Sequence, residues 1–352
     1  MNSIRKNSDA SDTIWQEYRD NFSRHLLGVT RHLQSETMAK LEQSCGHKQL
    51  RLGFEPYITL IGERGWRPSE LAQLLDVSRQ ACNQVINQID EAGYITRLTD
   101  NSDGRARQLV LTPSGARLKR DGLDSIAQID HEFAALVGKN GITDATGSLR
   151  KLQTGLKLGT TARELDRLPH TQFGVQLPAM RDYVLRRLMA LTQSKGHPGL
   201  KLSFGQVLTL IGESGGRIQE IARIWNVSKQ AISVIARELQ ALGYLQFDSD
   251  SRDARKVVLR FTPLGWTLIA DSVSSMKQLE AEFEAIVGKA PLKRLKGTFR
   301  RLYLALQLEV DIFEHNDNAN IGLLAKKIQQ QLGVGGSREL ARLLLKPAIL
   351  AG

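Results

Sequence analysis

Residues 76–95 read DVSRQACNQVINQIDEAGYI, and residues 226–245 read NVSKQAISVIARELQALGYL. In the first stretch Ala81, Cys82, Val85, Ile86 and Ile89 recur at helical spacing behind Ser78, a residue type that caps helix N-termini, and Gly93 supplies the stop. Just upstream, RPSELAQLL predicts a shorter helix opened by Pro68 and Ser69, with Leu71, Ala72, Leu74 and Leu75 as its buried face. Two short helices joined by a tight turn need a residue that tolerates left-handed backbone angles at the joint. Asp76 and Asn226 stand there, both permitted types.

Sliding the chain against itself by 150 positions extends the match in both directions. GHKQLRLGFEPYITLIGERG aligns with GHPGLKLSFGQVLTLIGESG, LTPSGARL with FTPLGWTL, and VGK recurs at 137–139 and 287–289. The alignment runs without a gap over about ninety positions, roughly a third of them identical, which is far too long for a solenoid repeat and indicates a duplicated domain. Two prolines in LDRLPHTQFGVQLP mark residues 165–178 as a linker. The expected organisation is one copy over 1–164, the linker, a second copy over 179–315, and a C-terminal extension over 316–352. In that extension Leu324, Ile328 and Leu332 share a helical face before GVGG breaks it.

The 352 residues carry a formal net charge of +11, which favours an anionic partner such as nucleic acid. Divided near residue 165, the second part holds about +9 of that excess and the first about +2. Two cysteines, Cys45 and Cys82, exclude a disulfide framework and a zinc ribbon. The repeat partner of Cys82 is Ile232, so core packing is its expected role rather than a redox switch. The N-terminal MNSIRKNSDASDT lacks an apolar core of signal-peptide length, and no run reaches the ~20 apolar residues that span a bilayer. A cytoplasmic, non-membrane protein is expected.

After the second helix, YITRLTDNSDGRARQLVLTPSG alternates as two strands around a polar turn, and Thr112-Pro113 then opens a helix. A helix-turn-helix followed by a hairpin with basic residues near its tip is a winged helix. Leu118, Ile126, Ile129, Phe133 and Val137 form an apolar face on the long helix that follows, with no sheet to cover it. The equivalent faces of the two copies are expected to cover each other.

These residues resemble the MarR-type winged-helix transcription regulators. The resemblance rests on Asp100, Asp103 and Arg105 followed by Leu109, Leu111, Thr112 and Gly115, and again on Asp250, Asp253, Arg255, Leu259, Thr262 and Gly265, with Phe261 departing from leucine. It implies a mainly α fold with small β-hairpin wings. Because members of the family pair as homodimers of one-domain chains, it also implies tandem winged helix-turn-helix copies forming an intramolecular pseudo-dimer. Double-stranded DNA is then the partner, and the protein is a transcriptional regulator rather than an enzyme, acting as a monomeric pseudo-dimer or a homodimer of it.

On this reading the first recognition helix presents Ser78, Arg79, Gln80, Asn83, Gln84 and Asn87, and the second presents Ser228, Lys229, Gln230, Ser233 and Arg237, with Val234 among them. Arg, Asn and Gln are the side chains able to make bidentate contacts with base edges. The resemblance places Arg105 and Arg255 in the minor groove; Asp103 and Asp253, two residues earlier, read as orienting them across the hairpin, an exposed ion pair being the alternative, and Arg107 and Lys256 read as phosphate contacts. It also implies a small aromatic effector, for which Trp15, Tyr18, Tyr57, Trp66, Trp225 and Trp266 are candidate pocket residues, core packing being their alternative. No cofactor or metal site is expected, and His47 and His197, recurring in GH, read as inherited loop residues. Two other functions fit the pattern: a protein-binding or architectural platform, suggested by Val234 and the unmatched tail, and a replication-initiator-like DNA binder.

Overall fold

The computed structural model describes residues 13–62, 65–75, 77–100, 103–158, 172–212, 215–225, 227–249 and 257–308. In chain order these form α1 over residues 13–19, α2 (Phe22–Gln43), α3 (Glu55–Ile61), α4 (Pro68–Leu74), α5 (Arg79–Glu91), the strands β1 (Ile95–Asp100) and β2 (Asp103–Leu111), α6 (Pro113–Val137) and α7 (Lys139–Gly155). There follow α8 (Leu177–Gln193), α9 (Gly205–Leu208), β3 (Gly216–Arg217), α10 (Ile218–Trp225), α11 (Lys229–Ala241), β4 (Leu245–Ser249), β5 (Val257–Phe261), α12 (Pro263–Val287) and α13 (Lys289–Ala305). The C-terminal extension, the linker up to residue 171, and the turn residues Asp76 and Asn226 lie outside the described residues. The fold is mainly helical with small antiparallel sheets. By compactness the described residues divide into a first unit, up to residue 202 and again from 268 to 308, and a second unit from 203 to 267.

The first unit holds one winged-helix lobe. The backbone N–H of Arg67 donates to Glu70 Oε2 (2.9 Å) at the start of α4, and Ser78 Oγ accepts from the N–H of Ala81 (3.1 Å), capping α5. Gly93, at φ +79°, ends the turn after α5 and hands the chain to β1. β1 and β2 pair antiparallel, Ile95 opposite Leu111, and Trp66 adds a bridge to Leu109 on the other side of β2. Ile61, Leu71, Cys82, Ile86, Ile89, Tyr94 and Leu109 close the core beneath them. The sequence reading is corrected at Ala81, which is exposed: at 3.6 residues per turn it falls between Ser78 and Gln84 on the outer side of α5.

The second unit repeats the plan. Its sheet is ordered β3-β5-β4, and Ser228 Oγ caps α11 through the N–H of Ala231 at 3.1 Å. Ile221, Ile232, Ala236, Leu239, Leu245 and Leu259 are buried within it.

A threonine and a glycine tie each wing to the helix behind it. Thr112 Oγ1 donates to the carbonyl of Gly93 (2.7 Å) and accepts from the N–H of Gly115 (3.1 Å), so one hydroxyl fixes the end of β2 against the start of α6. Thr262 does the same with Gly243 (2.5 Å) and Gly265 (3.1 Å). A Cβ on Gly115 would stand 1.9 Å from the carbonyl oxygen of Tyr94, and one on Gly265 would stand 2.2 Å from that of Tyr244. Only a residue without a Cβ allows this approach.

The rest of the first unit is a helical core drawn from both sequence copies. α13 packs on α2, α6 and α7, and α2 packs on α6 and α8. Phe22 meets Phe299 edge-on at 5.4 Å between ring centroids, and Phe173 lies 5.4 Å from Phe299 and 6.2 Å from Phe133. These rings are essentially solvent-free, as are Leu26, Val29, Leu149, Met180, Leu279 and Leu302 around them. The apolar faces left uncovered by the sheets thus cover one another. Arg300 clasps Asp20 through Nε and Nη2 (3.1 and 3.0 Å), and Arg187 clasps Glu282.

Candidate nucleic-acid interface

The two helices that carry the candidate reading residues point their polar side outward. On α5 and its cap, Ser78, Arg79, Gln80, Asn83, Gln84 and Asn87 are all exposed, opposite the buried Cys82, Ile86 and Ile89. On α11 and its cap, Ser228, Lys229, Gln230, Val234 and Arg237 are exposed and Ser233 is half-buried, opposite Ile232, Ala236 and Leu239. Cys82 has no solvent exposure and lies among apolar neighbours; burial also holds its thiol above the usual range, which disfavours the reactive thiolate.

Asn87 is engaged from the wing. Arg97 on β1 donates from Nη2 to Asn87 Oδ1 and places Nε 3.6 Å from Asp90 Oδ2. This leaves the Asn87 amide presenting its N–H₂ as donors. In the second unit Arg237 and Phe247 hold the equivalent positions, so the brace has no counterpart there. Sequence reasoning missed it because the partners belong to different elements, ten residues apart.

Arg67, Pro68, Ser69, Arg79, Asn83 and Arg107 line a notch of about 440 Å³. Three arginines thus line one concavity beside the start of α5. Such a concavity suits a phosphate, because planar guanidinium forks and helix N-termini both favour an anion. Arg107, exposed on β2 opposite Thr99, belongs to this notch, whereas Asp103 and Arg105 lie nearer the start of the same strand, Asp103 pairing with Asp100. Asp253, Arg255 and Lys256 fall outside the described residues.

A second concavity, about 520 Å³, lies within the first unit. Apolar Leu33, Met38, Leu52 and Ile126 line it together with Lys119, Arg150 and Arg186. Its lining contains none of the six aromatics proposed for an effector. Trp15, Tyr18, Tyr57 and Trp66 are instead buried, Trp15 stacked on Tyr18 at 5.7 Å. The aromatic content pointed to a pocket, but rings of this size bury more apolar area as core.

The paired histidines have a defined structural role. His47 Nε2 lies 2.8 Å from Asp121 Oδ2 with its side chain fully buried, and His197 Nε2 lies 3.0 Å from Asp271 Oδ2. Each fastens the loop after α2 or α8 to the long helix α6 or α12. The signal was available: His47 and Asp121 are separated by 74 residues, as are His197 and Asp271. Among the described residues no group of three His, Cys, Asp or Glu side chains is placed to hold a metal ion, and no helix is long and apolar enough to cross a membrane.

The model of the MarR family matches this chain twice, over residues 58–106 and 199–256. The two matched segments are similar to one another in extent and together cover about a third of the chain. The matched segments hold α4 and α10 together with α5 and α11, the two helices whose outer faces are described above. A Thauera aromatica protein assigned to transcriptional regulation of the hcr operon is 31% identical over 88 residues, an alignment covering 25% of this chain and 53% of that protein. The chain therefore spans about half the length of this relative. The transcriptional regulator Tm0710 from Thermotoga maritima shares 23% identity, over 39% of this chain and 94% of its own, with a TM-score of 0.30. S. aureus MepR F27L, solved bound to an oligodeoxyribonucleotide, shares 16% identity over 36% of this chain and 92% of its own, at a TM-score of 0.27.

Proposed function

We propose that the chain is a transcriptional regulator that binds double-stranded DNA as an intramolecular pseudo-dimer. The observation that carries this reading is the outer face of α5: Arg79, Asn83 and Gln84 side by side, with Arg67 and Arg107 converging beside them. Residue types that read base edges are here set against a basic notch that can hold the backbone in register. α5 enters the major groove with Ser78, Arg79, Gln80, Asn83, Gln84 and Asn87, and α11 does so with Ser228, Lys229, Gln230, Ser233 and Arg237. Arg105 and Arg255 enter the minor groove, oriented by Asp103 and Asp253, while Arg107 and Lys256 meet phosphates. The cavity beside α2 and α6 is suited to a small aromatic effector, since its walls are largely apolar and carry polar groups of both signs, Lys119, Arg150 and Arg186 with Glu55 and Asp182.

Selection of bound sites from a random duplex pool, followed by titration of selected and random duplex at fixed salt, tests the reading. Selected duplex should bind at least a thousandfold more tightly than random duplex. Equal binding would reduce the protein to a backbone binder and leave the platform reading, which the exposed Val234 favours. Light scattering should return the mass of one chain, or of two, and a trimer would break the pseudo-dimer.

A further inference from the structure

The face that carries α11 departs from that of α5 at two exposed apolar positions. Val234 stands where the first copy has Gln84 and is 56% exposed, and Val257 stands where the first copy has Arg107 and is 49% exposed. A β-branched side chain is a weaker helix former than glutamine and gains nothing from facing water. Scattered apolar side chains do face water elsewhere on the chain, so what sets Val234 apart is its place: it answers Gln84 at the centre of the outward face of the helix.

Charge decides what it meets there. Residues 203–267 contain eight basic and six acidic residues, whereas the equivalent 53–117 contain seven and eight. The lobe that gained the valines is thus the more basic one, and Val234 has exposed Lys229 and Arg237 and half-buried Glu238 near it on its own helix, a net basic surround. An apolar spot within a basic surround matches the major groove, where phosphates border base edges. The one apolar group those edges offer is the C5-methyl of thymine.

We propose that Val234 reads a thymine C5-methyl group, so that the two recognition helices demand unlike half-sites: adenine N6 and N7 at Gln84, a thymine methyl at Val234. This rests on the DNA-binding reading above. Cytosine at the same place would offer an N4–H₂ donor to a side chain with no acceptor, which supplies the discrimination.

The test uses the full chain and duplexes recovered by site selection, with each thymine replaced in turn by deoxyuridine. That change removes the methyl group and leaves the hydrogen-bonding edge intact. One position in one half-site should lose about fourfold in affinity, the worth of one buried methyl. Val234→Gln should abolish that sensitivity, and Gln84→Val should create a matching one in the other half-site. Both residues are exposed, so unchanged thermal unfolding is expected and confirms that the variants fold. If no uracil lowers affinity, if the sensitivity survives Val234→Gln, or if selection returns a symmetric palindrome, the methyl contact is refuted while DNA binding stands. Equal affinity for random and selected duplex would overturn both.

Discussion

In the first lobe Cys82, Ile86 and Ile89 face inward from α5, and in the second Ile232, Ala236 and Leu239 take the same places on α11. Outward, Asn83, Gln84 and Asn87 are answered by Ser233, Val234 and Arg237. The exchanges inside stay apolar, because a polar atom there would be buried without a partner. Two of those outside change chemical class, Gln84 to valine and Asn87 to arginine, and each lobe still caps its helix with serine and closes its wing with threonine and glycine. Two copies thus differ where a ligand could touch them and agree where the backbone would otherwise fail.

The wing closures offer the hardest test of that agreement. Gly115→Ala and Gly265→Ala each drive a Cβ into a backbone carbonyl, and each should cost about 3 kcal/mol or more, read as a lower denaturant midpoint. A silent change in either lobe would show that the two closures are not equivalent.

A smaller effect separates the copies at Asp130 on α6, whose counterpart on α12 is Glu280. Glu280 is paired with Lys296, whereas Asp130 accepts the N–H of Gly174 at 2.9 Å and burial raises its pKa to about 6. The folded chain keeps this proton to higher pH than the unfolded chain, whose carboxyl titrates near 3.9. Stability from this group is therefore fully present below about pH 4 and is lost as pH rises through about 6. Asp130→Asn keeps an acceptor for Gly174 and removes the buried charge. It should raise stability at pH 7 by about 2–3 kcal/mol and flatten the profile between pH 4 and 6. An unaltered profile in chemical denaturation would show that Asp130 is solvated.

The smallest expected effects sharpen the difference between the lobes. Arg107→Ala should weaken binding to all duplexes alike by about 1 kcal/mol and lower the salt slope by about 1, and Val257→Arg should raise that slope by about 1. Arg105→Ala should lose more affinity on sites with A·T-rich flanks than on G·C-rich ones, since narrow grooves favour an inserted arginine. A loss independent of the flanks would make Arg105 another phosphate contact.

What could be read in the sequence was what depends on neighbours along the chain. Ser78 and Ser228 as caps, Thr112-Pro113 as a helix start and the recurring apolar face of α5 each follow from rules that reach three or four residues. Ala81 was misplaced because periodicity gives the centre of a face better than its edge. The Arg97–Asn87 brace, the His47–Asp121 and His197–Asp271 ties and the arginine notch join side chains from separate elements, which no local rule reports. The candidate effector pocket was sought among tryptophans and tyrosines, yet the cavity is walled by leucines, isoleucines and methionine with charged groups of both signs in its lining. Ring content alone does not distinguish a wall from a core.

The helical core also sets a timetable. Phe299 follows its packing partner Phe22 by 277 residues. At ~5–20 residues per second of synthesis, α2 waits about 15–55 s for the last of the helices that cover it, a long interval for an apolar face and one in which chaperones can act. Two separate subunits would meet at a rate set by their abundance. Here the partner is delivered by the same ribosome, and a cell holding few copies assembles each as readily as a cell holding many.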